Sequence, residues 1–485
     1  MTNVSSVDPP GRSWLRRLDE LTQPVDVRTR AALDRRWNEL PESVRTAGQV
    51  LGRFGVGCEG THGVFPKCDF ACTPCYHSSD ANKVRVEGEH TIREIEAQMA
   101  FFETTRAPHA HAQLIGGEVS LLSPEDHAGA LEVMRRHGRD PMSFSHGDFD
   151  YDYLEKVAVD SDGHRRFRRL SFAVHIDTTM KGRRGMRRAP NEEALDPYRQ
   201  KVAAMFQRLR REHGVSYYLA HNVTVTPANV DQIPGIIQRS HRLGFGMFSF
   251  QPAAYVGDER RWRDDYSSLE PDRVWTKMEE GAGARLPYDV LQVGDMRCNR
   301  TAWGFYVGDQ WLSFINDEDP KDLAARDALL NHLGGVHFKA PWPLLTLRLG
   351  RAALRHPRLM PLALGWLWRT VRRAGGLRRV LKDRPVPVTF VMHRFMHAAD
   401  VKPAWELLKK GDMSDEPRVR ETQERLLACS YAMAHPETGE LVPACVQHGV
   451  LDPGENSELA ALLPIPRRKL KGSFVSDSTA VLDMS

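Results

Sequence analysis

Short apolar runs alternate with longer amphipathic stretches between residues 55 and 290 of the chain. The apolar runs are bounded by turn residues and predict strands at 111–115, 142–145, 170–176, 217–225 and 246–250, after a first strand near 60–65. The amphipathic stretches predict helices at 91–104, 124–137, 194–213 and 230–243. Strands that alternate with helices are typical of a parallel sheet built from βαβ units, so the pattern predicts an α/β fold.

The remaining regions have other patterns, and the length of 485 residues leaves room for two or three domains. We expect an N-terminal helical extension at 1–54, a core barrel at 55–290, a connector at 291–338, a basic amphipathic segment at 339–384 and a C-terminal domain at 385–485. Within the core, the highly charged stretch 148–169 predicts a solvent-exposed excursion, such as a β-hairpin, and suggests no chemistry.

Composition narrows the class of protein and the compartment. Hydrophobic residues make up 41% of the chain, charged residues 27%, and the formal net charge is +4, as in ordinary globular proteins. So small a net charge does not indicate a uniformly nucleic-acid-binding surface. Seven cysteines are too few, and odd in number, for a disulfide framework. Neither a secretion signal nor a membrane-spanning run is predicted, so we expect a cytoplasmic protein.

Three cysteines, Cys68, Cys72 and Cys75, form a C-x3-C-x2-C motif. Iron–sulfur clusters are held by cysteine thiolates, and three nearby thiolates hold three corners of a 4Fe-4S cube. One iron is then left for a ligand that is not protein, as expected of an enzyme that binds a small molecule at its cluster. A zinc site that also uses the flanking His62 or His77 is the alternative.

A second motif, Gly116-Gly117-Glu118, directly follows a predicted strand. Glycine lets the backbone approach a ligand closely, and carbonyl and carboxylate oxygens accept hydrogen bonds from a cationic amine. A tight turn between strand and helix explains the same three residues. The position of the motif, one βα unit after the cysteines, favours the ligand-binding interpretation.

With both motifs present, the chain resembles the radical S-adenosylmethionine (SAM) enzymes. The resemblance implies a partial (β/α)6-type barrel in which Cys68, Cys72 and Cys75 hold the 4Fe-4S cluster. It also implies that the fourth iron binds the amine and carboxylate of SAM. Gly116, Gly117 and Glu118 match the Gly-Gly-Glu motif of that family, which contacts the SAM amine.

Other residues are candidates for SAM binding. The common family pattern has an aromatic residue just before the last cysteine, whereas this chain has Pro74 there and Tyr76 just after. Polar residues also occupy the ends of later predicted strands, where sites on parallel sheets collect. The further cofactor-binding candidates are therefore Tyr76, His175, Asp177, Asn222 and Gln251. No residue is assigned as catalytic, because the cofactor supplies the reactive chemistry.

Four cysteines remain, at Cys58, Cys298, Cys429 and Cys445. Four thiolates complete an auxiliary iron–sulfur cluster or a mononuclear iron or zinc site. Buried cysteines are common in protein cores, so four inert thiols are the alternative. A hairpin predicted at 431–446 would bring Cys429 and Cys445 close together.

No aspartate or glutamate occurs between Asp327 and Asp383, where arginine, tryptophan and leucine are frequent. Met360, Leu364, Leu367 and Val371 follow helical spacing. Basic amphipathic helices with tryptophan lie in membrane interfaces, so we expect contact with a membrane lipid surface. A basic stripe also suits RNA, which stays the alternative.

The C-terminal region is similar to the tail of the radical SAM tetraether and membrane-spanning lipid synthases, on residues 390–396, Cys429, Gly439, Leu441, Pro443 and Cys445. This resemblance implies that SAM is cleaved to a 5′-deoxyadenosyl radical for C–H activation on a lipid chain. A peptide- or RNA-modifying radical SAM enzyme and a non-catalytic zinc- or cluster-binding protein are the alternatives. The expected partners are a reductant such as flavodoxin or ferredoxin and the inner face of the membrane.

Overall fold

The computed structural model describes residues 19, 21–77, 79–338 and 340–465. Parts of the predicted N-terminal extension, at 1–18, and of the C-terminal domain, at 466–485, therefore lie outside the described residues. The strands are β1 (Cys58–Gly60), β2 (His111–Leu114), β3 (Asp140–Ser145), β4 (Arg169–His175), β5 (Lys181–Arg183), β6 (Met186–Arg188), β7 (Ser216–Val225), β8 (Met247–Pro252), β9 (Asn299–Ala302), β10 (Gly304–Val307), β11 (Gln310–Ser313), β12 (Val386–Pro387), β13 (Thr389–His393), β14 (Tyr431–His435) and β15 (Glu440–Pro443).

The helices surround these strands. In chain order they are α1 (Val27–Glu39), α2 (Gly88–Thr105), α3 (Pro124–Arg136), α4 (Tyr151–Ala158), α5 (Asp196–His213), α6 (Ile233–Ser240), α7 (Pro271–Ala282), α8 (Pro320–His332), α9 (Trp342–Arg355), α10 (Leu359–Arg373), α11 (Leu377–Asp383), α12 (Ala398–Lys409), α13 (Pro417–Leu427), α14 (Ala444–Val446) and α15 (Asp452–Leu462). No helix of the described residues has both the length and the apolar character needed to span a bilayer.

Ten of the described strands form one curled sheet, in the order β15-β14-β1-β2-β3-β4-β7-β8-β13-β9. The eight inner strands are parallel, while β15 and β9 run antiparallel at the two edges. Helices α2, α3, α5 and α6 cover the outer face and bury an apolar core that includes Met99, Leu131, Phe172, Phe206 and Ile237. The predicted α/β partial barrel is confirmed.

Six of the parallel strands come from the predicted core, and β13 and β14 come from the region beyond residue 385. The first strand lies at Cys58–Gly60, slightly earlier than expected. The predicted hairpin near the C-terminus is formed by β14 and β15, with Ala432 opposite Pro443. The proposed domain boundaries stay a prediction, although strands from both sides of the connector share one sheet.

The interpretation of 148–169 as a solvent-exposed excursion is wrong for its first half. This stretch contains helix α4, whose Leu154, Val157 and Ala158 are fully buried in the main core. Charged residues on the outer side of the short helix mask its apolar face in the sequence. After the helix, residues 161–165 are exposed, and an antiparallel bridge pairs Val159 with Arg165 across this turn.

Candidate active site

The three motif cysteines lie on a loop after β1 and line a cavity of about 680 Å³ inside the curl of the sheet. Backbone hydrogen bonds fix this loop against the segment that leads into β5: Ala71 N–H donates to Lys181 O and Thr73 N–H to Thr179 O, each at 2.9 Å. Cys68 N–H donates to Asn82 Oδ1 at 2.9 Å. The loop is therefore positioned by its backbone, which leaves the thiols free to bind.

The three thiols lie near enough to influence each other electrostatically. Burial raises the pKa of Cys68 to about 12, and it raises those of Cys72 and Cys75, with further raising of the Cys72 pKa from the two neighbouring sulfurs. Metal binding would displace the thiol protons, because a cysteine binds metal as the thiolate.

The three motif sulfurs do not lie close enough to share one zinc ion, whereas Cys68, Asp69 and His146 place one ligand atom each within 4.8 Å of one another. Among the described residues, these three sulfurs do not form a group within 4.8 Å of one another. A tetrahedral zinc site with Zn–S bonds of about 2.3 Å needs its sulfurs only about 4 Å apart. The flanking histidines bind elsewhere: His62 contacts Glu455 and Ala434 O, and His77 contacts Gly116 O. A cube, in which each thiolate binds a different iron, fits the wider spacing.

Gly116 and Gly117 hold the cysteine loop against the end of β2. Gly117 N–H donates to Phe65 O at 2.8 Å, and a Cβ at Gly117 would lie 2.1 Å from Lys67 O. A Cβ at Gly116 would lie 2.7 Å from the ring of Phe65. The two glycines are therefore required for close backbone packing under the cysteines, whatever they contact in the cavity.

Glu118 is buried and already has protein partners on both carboxylate oxygens. Its Oε1 accepts hydrogen bonds from Ser120 N–H at 2.9 Å and Ser145 Oγ at 2.7 Å, and its Oε2 accepts one from His146 N–H at 2.8 Å. His146 Nε2 in turn lies 2.9 Å from Asp69 Oδ1, within the cysteine motif. The carboxylate thus ties the ends of β2 and β3 to the cysteine loop.

Tyr76 belongs to an aromatic group beside the cysteines. Its ring lies 4.5 Å from the rings of both His77 and His448, and 6.2 Å from that of Phe395. Phe395 and His448 also line the cavity. They come from the C-terminal region; Phe395 lies in the stretch 390–396 that carries the C-terminal resemblance, whereas no sequence signal identified His448.

A row of polar side chains crosses the middle of the sheet. In the strand register, His175 of β4 is paired with Asn222 of β7, and Asn222 with Ser249 of β8. All three residues line the cavity. His175 Nε2 and both polar atoms of the Asn222 amide are buried without a hydrogen-bond partner among the described residues. Burial lowers the pKa of His175 to about 4, so its ring is neutral at physiological pH.

Buried polar atoms without partners cost about 1–3 kcal/mol each, so they indicate a ligand that supplies the missing hydrogen bonds. Asp177 differs, because its carboxylate accepts hydrogen bonds from Thr179 N–H at 2.9 Å and Thr224 N–H at 2.8 Å. Gln251 lies beside Thr224 in the register and lines the cavity. Among the predicted residues, His175 and Asn222 therefore have polar atoms available to a ligand, whereas Asp177 holds the strand ends together by its hydrogen bonds.

Below the polar row, the lining of the cavity is mixed. Met142, Phe144, Tyr218 and Met247 line it together with the polar or charged residues His111, Asp140 and Arg169. Several residues that the sequence did not single out also line the cavity, namely Ser249, Arg261, Asn299, Thr301 and Tyr431. The site combines a thiol-bearing wall, a polar middle and an end where apolar and charged side chains meet.

No family model and no curated protein matches this chain. Among solved structures, it is similar to "Native anSMEcpe with bound AdoMet", with 15% identity and a TM-score of 0.29 over 46% of this chain and 57% of that one. It is also similar to "Spore photoproduct lyase complexed with dinucleoside spore photoproduct", with 12% identity and a TM-score of 0.22 over 62% and 82% of the two chains. The chain thus spans just over half the length of anSMEcpe. Likenesses this distant carry no functional argument.

Proposed function

We propose that this chain is a radical SAM enzyme. The observation that carries the proposal is the meeting of three motif thiols and the unpartnered polar atoms of His175 and Asn222 in one cavity. When bound, a 4Fe-4S cluster would supply the electron that cleaves SAM reductively to methionine and a 5′-deoxyadenosyl radical. Cys68, Cys72 and Cys75 would hold that cluster, and the cavity would take SAM.

The other motif residues act by positioning in this proposal. Glu118 accepts its hydrogen bonds from strand ends and backbone, so its part is to fix the cysteine loop and the neighbouring β3 end. His175 and Asn222 are paired on the adjacent strands β4 and β7 and would bind the polar groups of SAM. Tyr76, in its aromatic group, would border the cofactor, and Gln251 would contact it from the end of β8.

Anaerobic reconstitution with ferrous iron and sulfide, followed by SAM and dithionite, tests the cofactor chemistry. We expect 5′-deoxyadenosine from the intact chain and none above background from Cys72→Ser, because one corner of the cluster loses its ligand. Asp162→Asn, on an exposed loop, is the control. An intact chain that holds iron at the triplet but forms no 5′-deoxyadenosine would refute the proposal and favour a non-catalytic cluster-binding protein.

The substrate class we propose is a hydrocarbon chain drawn from a membrane. The apolar side chains of Met142, Phe144 and Met247 in the cavity suit such a chain, which offers no group for acid or base catalysis. The exposed faces of α9, α10 and α11 support the same class: Leu354 is 87% exposed, Trp342 76% and Trp368 62%. Arg372 lies over the Trp368 ring, 5.5 Å from its centroid. Basic helices with such faces bind anionic membrane interfaces.

Liposome flotation tests the membrane contact. We expect the chain to bind vesicles that contain phosphatidylglycerol. A Leu364→Asp/Trp368→Asp variant should lose at least about tenfold in affinity, because charged side chains would replace two apolar ones that the bilayer buries on binding. Formation of 5′-deoxyadenosine without lipid substrate should be unchanged in this variant. Equal binding of variant and intact chain would refute the lipid surface. Salt-sensitive binding to RNA instead would favour the RNA-modifying alternative.

A further inference from the structure

The four cysteines outside the motif come together from four separate segments. Cys58 opens β1, and its N–H donates to Ser430 O, beside Cys429, at 2.7 Å. Cys58 and Cys429 both pack against the cluster of Tyr431, Met433 and Ala444, and Ala444 immediately precedes Cys445. Cys58 and Cys429 thus share one cluster with the residue before Cys445, which supports the predicted approach of Cys429 and Cys445.

Cys298 reaches this group from the opposite edge of the sheet. It immediately precedes β9, the last strand at one edge, whereas Cys445 follows β15, the last strand at the other. The segment after β13 joins the two: Arg394 N–H donates to Cys298 O at 2.8 Å, and Met396 N–H donates to Cys445 Sγ at 3.4 Å.

We propose that Cys58, Cys298, Cys429 and Cys445 hold a second iron–sulfur cluster, separate from the three-cysteine site, that joins the two edges of the curled sheet. We name these residues the cysteine quartet. A cube needs four thiolates, and here protein supplies all four, so no iron is left for a small ligand. The quartet therefore has a structural or electron-transfer role and does not bind SAM. The proposal stands apart from the function proposed for the triplet.

Two arginines donate hydrogen bonds to the quartet. Arg425 Nε donates to Cys298 Sγ at 3.1 Å, while its Nη2 is buried without a hydrogen-bond partner among the described residues. Arg36 Nη2 donates to Cys429 O at 2.8 Å. Carboxylates balance part of this charge, since Arg36 pairs with Glu39 at 3.1 Å and Arg425 with Glu421 at 3.5 Å. Hydrogen bonds from such donors would stabilise thiolates bound to a cluster.

The quartet does not match the site of a single ion. In the described part of the chain, no three of these sulfurs lie within 4.8 Å of one another. A mononuclear tetrahedral site with Zn–S bonds of about 2.3 Å would need them only about 4 Å apart. All four cysteines are free thiols, so no disulfide competes for them. In the proposed cube each thiolate binds a different iron, so the sulfurs need not surround one ion.

Iron and sulfide counting on matched variants tests the quartet. After anaerobic reconstitution with ferrous iron and sulfide, we expect about eight irons in the intact chain and about four in the triple variant Cys68→Ser/Cys72→Ser/Cys75→Ser. The variant Cys298→Ser/Cys445→Ser should hold about four irons as well and should melt at a lower temperature, because the joined sheet edges separate. Circular dichroism of each variant establishes that it is folded.

Two outcomes would overturn the quartet. A folded triplet variant that retains no iron, or that retains a single iron or zinc per chain, contradicts a second cluster. A quartet variant with the full iron content of the intact chain contradicts it equally. These results are separate from the fate of the radical SAM proposal, which depends on 5′-deoxyadenosine formed at the triplet. Arg425→Met gives a second variant that keeps all seven cysteines and should retain the iron of both clusters, with a lower midpoint potential at the quartet alone; a variant spectrum with no second redox centre would contradict the quartet.

Discussion

The triplet and the quartet are two groups of cysteines built in opposite ways. The triplet lies within eight residues of one loop, and backbone hydrogen bonds from Ala71 and Thr73 position it. The quartet is assembled from four segments across the two edges of the sheet. Burial raises the thiol pKa values in both groups, and one arginine in each, Arg261 beside Cys75 and Arg425 beside Cys298, opposes that rise. The first arrangement leaves a ligand position open, and the second closes it.

Replacing Gly117 by alanine should have the largest effect, and it should affect the triplet without affecting the quartet. The new Cβ would lie 2.1 Å from Lys67 O and 2.3 Å from Pro66 O, both backbone atoms of the cysteine loop, so the loop must move. A displacement of about 1 Å costs about 100-fold in rate, and we expect that loss in 5′-deoxyadenosine formation. Iron at the quartet should be unchanged.

Gly350→Ala is the matched control for this experiment, because a Cβ there meets nothing within 4 Å. Equal activity of Gly117→Ala and Gly350→Ala would mean that close packing of the loop does not position the triplet. Equal loss of iron from triplet and quartet would mean that the substitution unfolds the sheet as a whole, which circular dichroism would detect.

The contrast between the two groups also explains what the sequence could predict. The three motif cysteines could be predicted because their spacing is local. Six strands of the sheet could be predicted because each apolar run is local as well. The hydrogen bonds of Glu118 to Ser145 and His146 join residues distant in sequence, so its positioning part was not foreseen. The pairing of β13 and β14 with the core strands likewise depends on contacts between distant segments.

Replacing Asn222 by alanine should weaken SAM binding without affecting either group of cysteines. Both polar atoms of its amide are buried without partners, so each is available to the cofactor. Loss of such hydrogen bonds costs about 1.4 kcal/mol, which corresponds to about a tenfold higher KM for SAM. Iron content should stay at the level of the intact chain.

Asn38→Ala, at an exposed position on α1, is the control for Asn222→Ala. An unchanged KM for SAM in the Asn222 variant would show that its amide faces no cofactor group. A fall in kcat at constant KM would instead assign the amide to the reaction itself, beside the substrate.

The smallest expected effect concerns Arg425 and the potential of the quartet. Arg425→Met removes one positive charge and the hydrogen bond from Nε to Cys298 Sγ. Charge and hydrogen bonds to the sulfurs set cluster potentials, so the oxidised quartet should be favoured and its midpoint potential should fall by on the order of tens of millivolts. Arg420→Met, at an exposed position of the same helix, should leave the potential unchanged. Redox titration followed by EPR measures both clusters in one sample. An equal shift at triplet and quartet would contradict the assignment, because Arg425 contacts a sulfur of the quartet alone.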